Sequence, residues 1–247
     1  MSHENLCAEC IANMERTVHT LASRVPQPVL TIFHGRPYIR YMEQTIHQAI
    51  VLKLARLVSN LNAAQLLLDN GYVQEQGALQ RMIDEGDEDI MFLALAILSD
   101  DITDLHQRYL AAFWQEEFDQ PTAMASTQKR PSIPRKNINA WLARHPLSGT
   151  DESTGVAATT TLHKTYSGYI HGAAPHIMDL YGGNPPRFHM RGMLGTPRHE
   201  DHTDDLLNYY YRAIVSFAFS AKAFGDDAQF TKIREFAIHF SEETQLG

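Results

Sequence analysis

Cysteine is scarce. Cys7 and Cys10 are the only two in 247 residues, too few for a disulfide scaffold. Glycine, at 14, and proline, at 11, are too sparse for a collagen-like or low-complexity chain. No apolar run approaches the ~18 residues that a membrane-spanning helix requires, so no membrane partner is expected. The first twenty residues, MSHENLCAECIANMERTVHT, carry acids early and have no apolar core, so no secretion signal is expected. Few cysteines and no signal together point to the cytoplasm. What is present is a chain 44 % apolar. At this length it can bury roughly three quarters of its unfolded surface, which suits a single domain over 1–247.

Charge is unevenly distributed. The formal net charge is −8, yet residues 120–198 hold nine bases against three acids, between two acidic flanks. Two readings stand open: the basic middle is neutralised by the flanks, or it offers a positive surface to phosphate, carboxylate or nucleic acid. Arginine outnumbers lysine 15 to 6, which favours bidentate, partly buried contacts to such groups.

Hydrophobic periodicity reads as helix almost throughout. An N-terminal helix occupies 1–25 and ends before Pro26 and Pro28. The segment 29–33 (VLTIF) shows no evident partner strand and reads as a buried connector. A long-helix core spans 38–118, with its first helix over 38–69 stopped by Asn70-Gly71 and a break expected at Gly86. Asp87, Glu88 and Asp89 then stand where acids complement a helix N-terminus. A basic loop and short helix occupy 119–155, and C-terminal helices fill 156–247, interrupted by a second long loop over 184–198. The expected class is all-α: an antiparallel bundle of about eight helices with two long loops.

Four constellations could carry chemistry. Cys7-x2-Cys10 with His3 offers three zinc-type ligands, but a structural zinc wants four, and free cysteines commonly pack as small apolar residues; no metal site and no cofactor are expected. His199-x2-His202 amid Glu200, Asp201, Asp204 and Asp205 reads better as an acid-rich helix N-terminus than as a metal site. Arg81 and Glu85, one turn apart, form either an ordinary exposed pair or an inward polar cluster with Arg56 and Asn60 as neighbours. The richest stretch is LHKTYSGYIHGAAPHIMDLYGG at 162–183. His163, Ser167 and His171 recur at helical spacing beside Tyr166, Gly168-x3-Gly172 permits close approach, and Pro175 bends the chain. His171 and Tyr166 are the candidate reactive groups, because an imidazole can act as acid, base or phosphate ligand near neutral pH. Arg187, His189, Arg191 and Arg198 in the following loop could close over them as a basic lid.

The Arg-x3-Glu helix (Arg81, Glu85) and the Tyr-Ser-x3-His segment (Tyr166, Ser167, His171) resemble a family of uncharacterised all-helical bacterial proteins, over roughly residues 45–180. That family is distantly similar to HEPN-type helical domains, which include metal-independent ribonucleases of toxin and defence systems. The resemblance implies an Arg-x4–6-His motif, for which Arg40-x6-His47 and Arg234-x4-His239 have the spacing, although Tyr41 and Glu235 replace the usual residue after the arginine. Three functions follow as expectations. The first is an inward Arg/Glu/Tyr/His pocket for an anionic small molecule, with Arg56, Arg81, Glu85, His163, His189 and Arg191 binding. The second is a HEPN-like ribonuclease acting on RNA. The third is a non-catalytic interaction protein that forms a homodimer.

Overall fold

The computed structural model describes residues 3–127, 129, 131–146 and 152–246, with side chains at only some positions of 152–163. Among the described residues there are nine helices and two small antiparallel strand pairs. The chain is a multi-helix bundle, and 67 % of it is helical. Helix α1 (His3–Ala22) is followed by a ribbon of β1 (Val29–Phe33) and β2 (Arg36–Arg40), then α2 (Ile46–Asp69), α3 (Val73–Leu98), α4 (Asp104–Trp114) and α5 (Arg135–Arg144). Helices α6 (Glu152–His171) and α7 (Ala174–Met178) lead to a short hairpin, β3 (Tyr181–Gly182) and β4 (Arg187–Phe188), and to α8 (Pro197–Ala223) and α9 (Asp227–Thr244). No helix among these residues is long and apolar enough to cross a membrane.

The connector expected at 29–33 is a strand instead. Its partner is RPYIR, joined through His34-Gly35, both at positive φ, the geometry that a two-residue hairpin turn demands. Helix α2 therefore begins at 46 rather than 38. Thr45 caps it: its hydroxyl accepts from the Gln48 amide at 3.2 Å while the Gln48 side chain accepts from the Thr45 amide at 2.9 Å, a reciprocal capping box. The expected break at Gly86 does not occur. Helix α3 runs through it without interruption, so Asp87 and Asp89 lie buried in mid-helix, not at an exposed N-terminus.

Helix α3 is the spine. It packs against α2, α8, α6 and α5, while α8 also carries α9 and α1. Helix α3 runs antiparallel to α2, with Lys53 at Asp89 and Leu57 at Gly86, and α9 antiparallel to α8, with Tyr210 at Phe240 and Phe219 at Phe230, whereas α8 runs parallel to α3: Gln76 meets His202 and Asp84 meets Arg212. The core is continuous from Leu6, Cys10 and Leu21 of α1 through Leu54, Leu57 and Ile83 to Phe217 and Phe240. Cys7 and Cys10 belong to it, and burial pushes the Cys7 thiol up to about 12. At one end, the loop before α8 crosses the α2–α3 turn, where the Met193 amide donates to the Gly71 carbonyl at 2.8 Å. A Cβ on Gly71 would lie 2.6 Å from the Met193 and Leu194 amide nitrogens, so only glycine fits this crossing.

Candidate functional site

A polar seam runs along the spine. Gln76, Gln80, Asp84 and Asp87 share one face of α3, at spacings of four, four and three, and all are buried. Opposite them α8 presents His202, Asp205, Tyr209, Arg212 and Ser216. Because the two helices are parallel, the pairs form successive rungs. At the first, His202 Nδ1 lies 2.7 Å from Gln76 Oε1 and its Nε2 lies 3.2 Å from the Tyr169 hydroxyl of α6. Burial lowers the pKa of His202, so a neutral ring donating from Nδ1 and accepting at Nε2 satisfies both contacts. At the next rung Asp84, fully buried, accepts from the Tyr209 hydroxyl at 3.1 Å and from Arg212 Nη1 at 2.5 Å. Burial opposes the charge of Arg212, but Asp84 and Asp87 more than offset it and hold the guanidinium protonated. Asp87 closes the seam without a hydrogen bond of normal geometry to either oxygen. Burial raises its carboxyl to about 7 against the opposing pull of Arg212 and Ser216.

A second polar stripe lies one residue further round α3. Arg81 Nε and Nη2 reach Glu85 Oε1 at 2.9 and 2.7 Å. Beyond it, Arg135 of α5 binds Glu88 at 2.7 Å, and also Asp89 and the Glu85 carbonyl, while Lys53 of α2 reaches Asp89 at 2.6 Å. Every acid of this stripe is thus neutralised by a base from the same or another helix.

Helix α6 covers the junction. The Tyr169 ring fills the space where Gly77 lacks a side chain, since a Cβ there would stand 2.9 Å from the ring. Tyr166 stands one turn before Tyr169 on α6. Tyr166 is buried, donates to Asp205 Oδ2 at 2.9 Å and packs edge-on against Tyr209. Burial, reinforced by Asp205, raises its pKa, so the phenol serves as a proton donor at neutral pH.

The expected site residues divide into two groups. Arg81 and Glu85 pair with each other on α3, while Tyr166 of α6 bonds Asp205 and packs on Tyr209 of α8. His171 is exposed at the end of α6, and Arg191 is exposed in the loop before α8. His189 is half-buried and pins its own hairpin, its Nε2 lying 3.2 Å from the Gly182 carbonyl. Arg56 is exposed on α2, apart from the Arg81–Glu85 pair. The His163 side chain lies outside the described residues. Of the arginines with HEPN-like spacing, Arg40 is held bidentately by Glu116, while His47 stacks edge-on against Phe224; Arg234 and His239 are exposed on α9. Among the described residues no group of three or more His, Cys, Asp or Glu is arranged to hold a metal ion.

Sequence reasoning did not find Gln80, Asp84, Asp87, Asp89, Arg135, Tyr209 or Arg212. The signal was the regular recurrence of polar residues at 76, 80, 84 and 87 through the supposed break. Several of these groups have unused hydrogen-bonding capacity: both amide atoms of Gln80, Gln76 Nε2, the Asp87 carboxyl and Arg81 Nη1 are buried without a partner. Buried donors and acceptors left unmet are costly. A scan against protein-family models finds none that matches the chain, and searches of curated proteins and of solved structures find no match either.

Proposed function

We propose that the α3–α6–α8 junction binds a small ligand bearing a phosphate or carboxylate group, with Arg81 as its anchor. The observation that carries this is the Arg81 Nη1 donor, buried and unpartnered, on the turn of α3 that also bears the unpartnered carboxamide of Gln80. Glu85 occupies Nε and Nη2 and so fixes the plane of the guanidinium, leaving the remaining donor aimed and charged. Gln80 adds a neutral donor. Of the nearby acids, Asp84, Glu88 and Asp89 are each bound by a base. The reading is of a binding protein, with no reaction assigned.

The test is thermal unfolding with inorganic phosphate and with citrate. A ligand that binds only the folded chain raises the melting temperature as its concentration grows. The rise is expected in the native protein and in Arg56→Ala, to be weakened in Arg81→Lys, which lacks the planar fork, and lost in Arg81→Met. No rise with either anion, or the same rise in Arg81→Met as in the native chain, would refute the assignment.

A further inference from the structure

The β1–β2 ribbon is the least explained part of the molecule. Its register pairs Leu30 with Ile39 and Ile32 with Pro37, so these four side chains share one face. Leu30 is 71 % exposed, and Ile32 and Ile39 are each 66 % exposed. The opposite face carries Thr31, Phe33, Tyr38 and both charged residues of the ribbon, Arg36 and Arg40. That back face is turned to the helices, where Arg40 grips Glu116 just past α4 and its guanidinium lies over the Tyr38 ring. The outer face is therefore wholly apolar. At the ribbon's edge lies a groove of about 560 Å³, lined by Ile39, Met42, Leu52 and Trp114 and, on its inner side, by Phe33 and the Arg40–Glu116 pair.

We infer that this face is where two copies of the chain meet, ribbon packed on ribbon across a two-fold axis. Three features favour a second copy over other occupants. The ribbon is held to the helices by its back face alone, which leaves its apolar front in water, a cost that a constant cover removes, and a copy of the same chain is always at hand. A two-fold contact sets each residue against its own face, which is tolerable only where that face has no charge; here both arginines point the other way. The same lack of charge gives nothing for nucleic acid or an anionic headgroup to grip. Two such faces pack at the ~10 Å spacing of stacked sheets, with Leu30, Ile32 and Ile39 interleaving. Met42 and Leu52 extend the contact toward the ~800 Å² per partner of a standard interface.

The assignment is independent of the Arg81 site and is tested by mass in solution. Light scattering on the eluting native protein should give twice the chain mass of 27.9 kDa. The Ile32→Glu/Ile39→Glu variant should fall to a single chain mass with an unchanged helical circular dichroism spectrum. Arg36→Glu, on the back face, should stay dimeric. Should the double variant misfold, amide exchange on the native protein decides: dilution should speed exchange across 29–40 and leave α2 and α3 protected. Native protein with the mass of one chain at every concentration overturns the inference, whether or not that monomer binds neutral vesicles. So does a dimer that survives the two glutamates, or exchange across 29–40 that ignores dilution.

Discussion

Asp87 shows how one residue can set a pH dependence. Its carboxyl titrates near 7 in the folded chain, against an ordinary value of 3.8, because burial disfavours the charge more than Arg212 and Ser216 favour it. Between about pH 4 and 7 the folded chain holds a proton that the unfolded chain has released, so stability falls as pH rises through that window. The full cost is present above the folded value and amounts to at most about 4 kcal/mol, an order-of-magnitude bound. Asp87→Asn keeps the shape and removes the charge. It should raise the melting temperature at about pH 8 and have little effect near pH 4. An equal change at both ends would mean that the charge of Asp87 is not what burial penalises. This carboxyl was not legible in the sequence. EGDED looks like an exposed, acid-rich helix start, and only the continuation of the stripe from Gln76 and Gln80 reveals an inward position. The Arg81–Glu85 pairing was legible from its i, i+4 spacing, and the burial of Tyr166 from its place on a helix that otherwise faces the core. The exposure of His171 was not, since the chain turns into α7 directly after it.

Within α3 two glycines have opposite meanings, although the sequence marks them alike. Gly86 was read as a break, but the helix passes through it. A Cβ there would meet only Leu57 Cδ1, at 4.0 Å. Gly86→Ala should therefore stabilise the protein by about 0.5–1 kcal/mol, the usual gain from removing backbone freedom in a helix interior. Gly77 is needed for a different reason, since a Cβ there would press on the Tyr169 ring at 2.9 Å. Gly77→Ala should lose stability despite the better helix former, by about 1–3 kcal/mol as overpacking does, and should loosen α6 from the seam. Urea denaturation of the two variants compares them directly; the same sign for both would discard the steric distinction. The strand at 29–33 was missed because its partner contains a proline and two arginines, a poor strand by propensity alone. Its true signal is the His34-Gly35 turn, which tolerates the two positive φ angles.

At the scale of the whole molecule, the helical class was legible from periodicity, while the arrangement was not. The parallel neighbours α3 and α8 meet through pairs separated by 125 to 128 residues, and nothing local encodes such a meeting. The uneven charge is partly resolved by the same long-range packing. Arg135, from the basic middle segment, is half-buried against Glu88 and Asp89 of the acidic first part, and Lys53 shares Asp89. Arg135 is the critical member, because it alone bridges both acids and the Glu85 carbonyl. Removing one partner of a buried ion pair leaves an uncompensated charge, which costs about 3–5 kcal/mol. Arg135→Met should fall in that range and detach α5 from α3. Lys53→Met should cost less, since Asp89 keeps Arg135. With both bases gone Asp89 has neither, so the double variant should lose more than the two single losses combined, a coupling that denaturant unfolding of all four proteins measures. Strict additivity would mean that the two bases act on Asp89 independently, and the basic segment would then be neutralised pair by pair instead of as one network tying the middle of the chain to its spine.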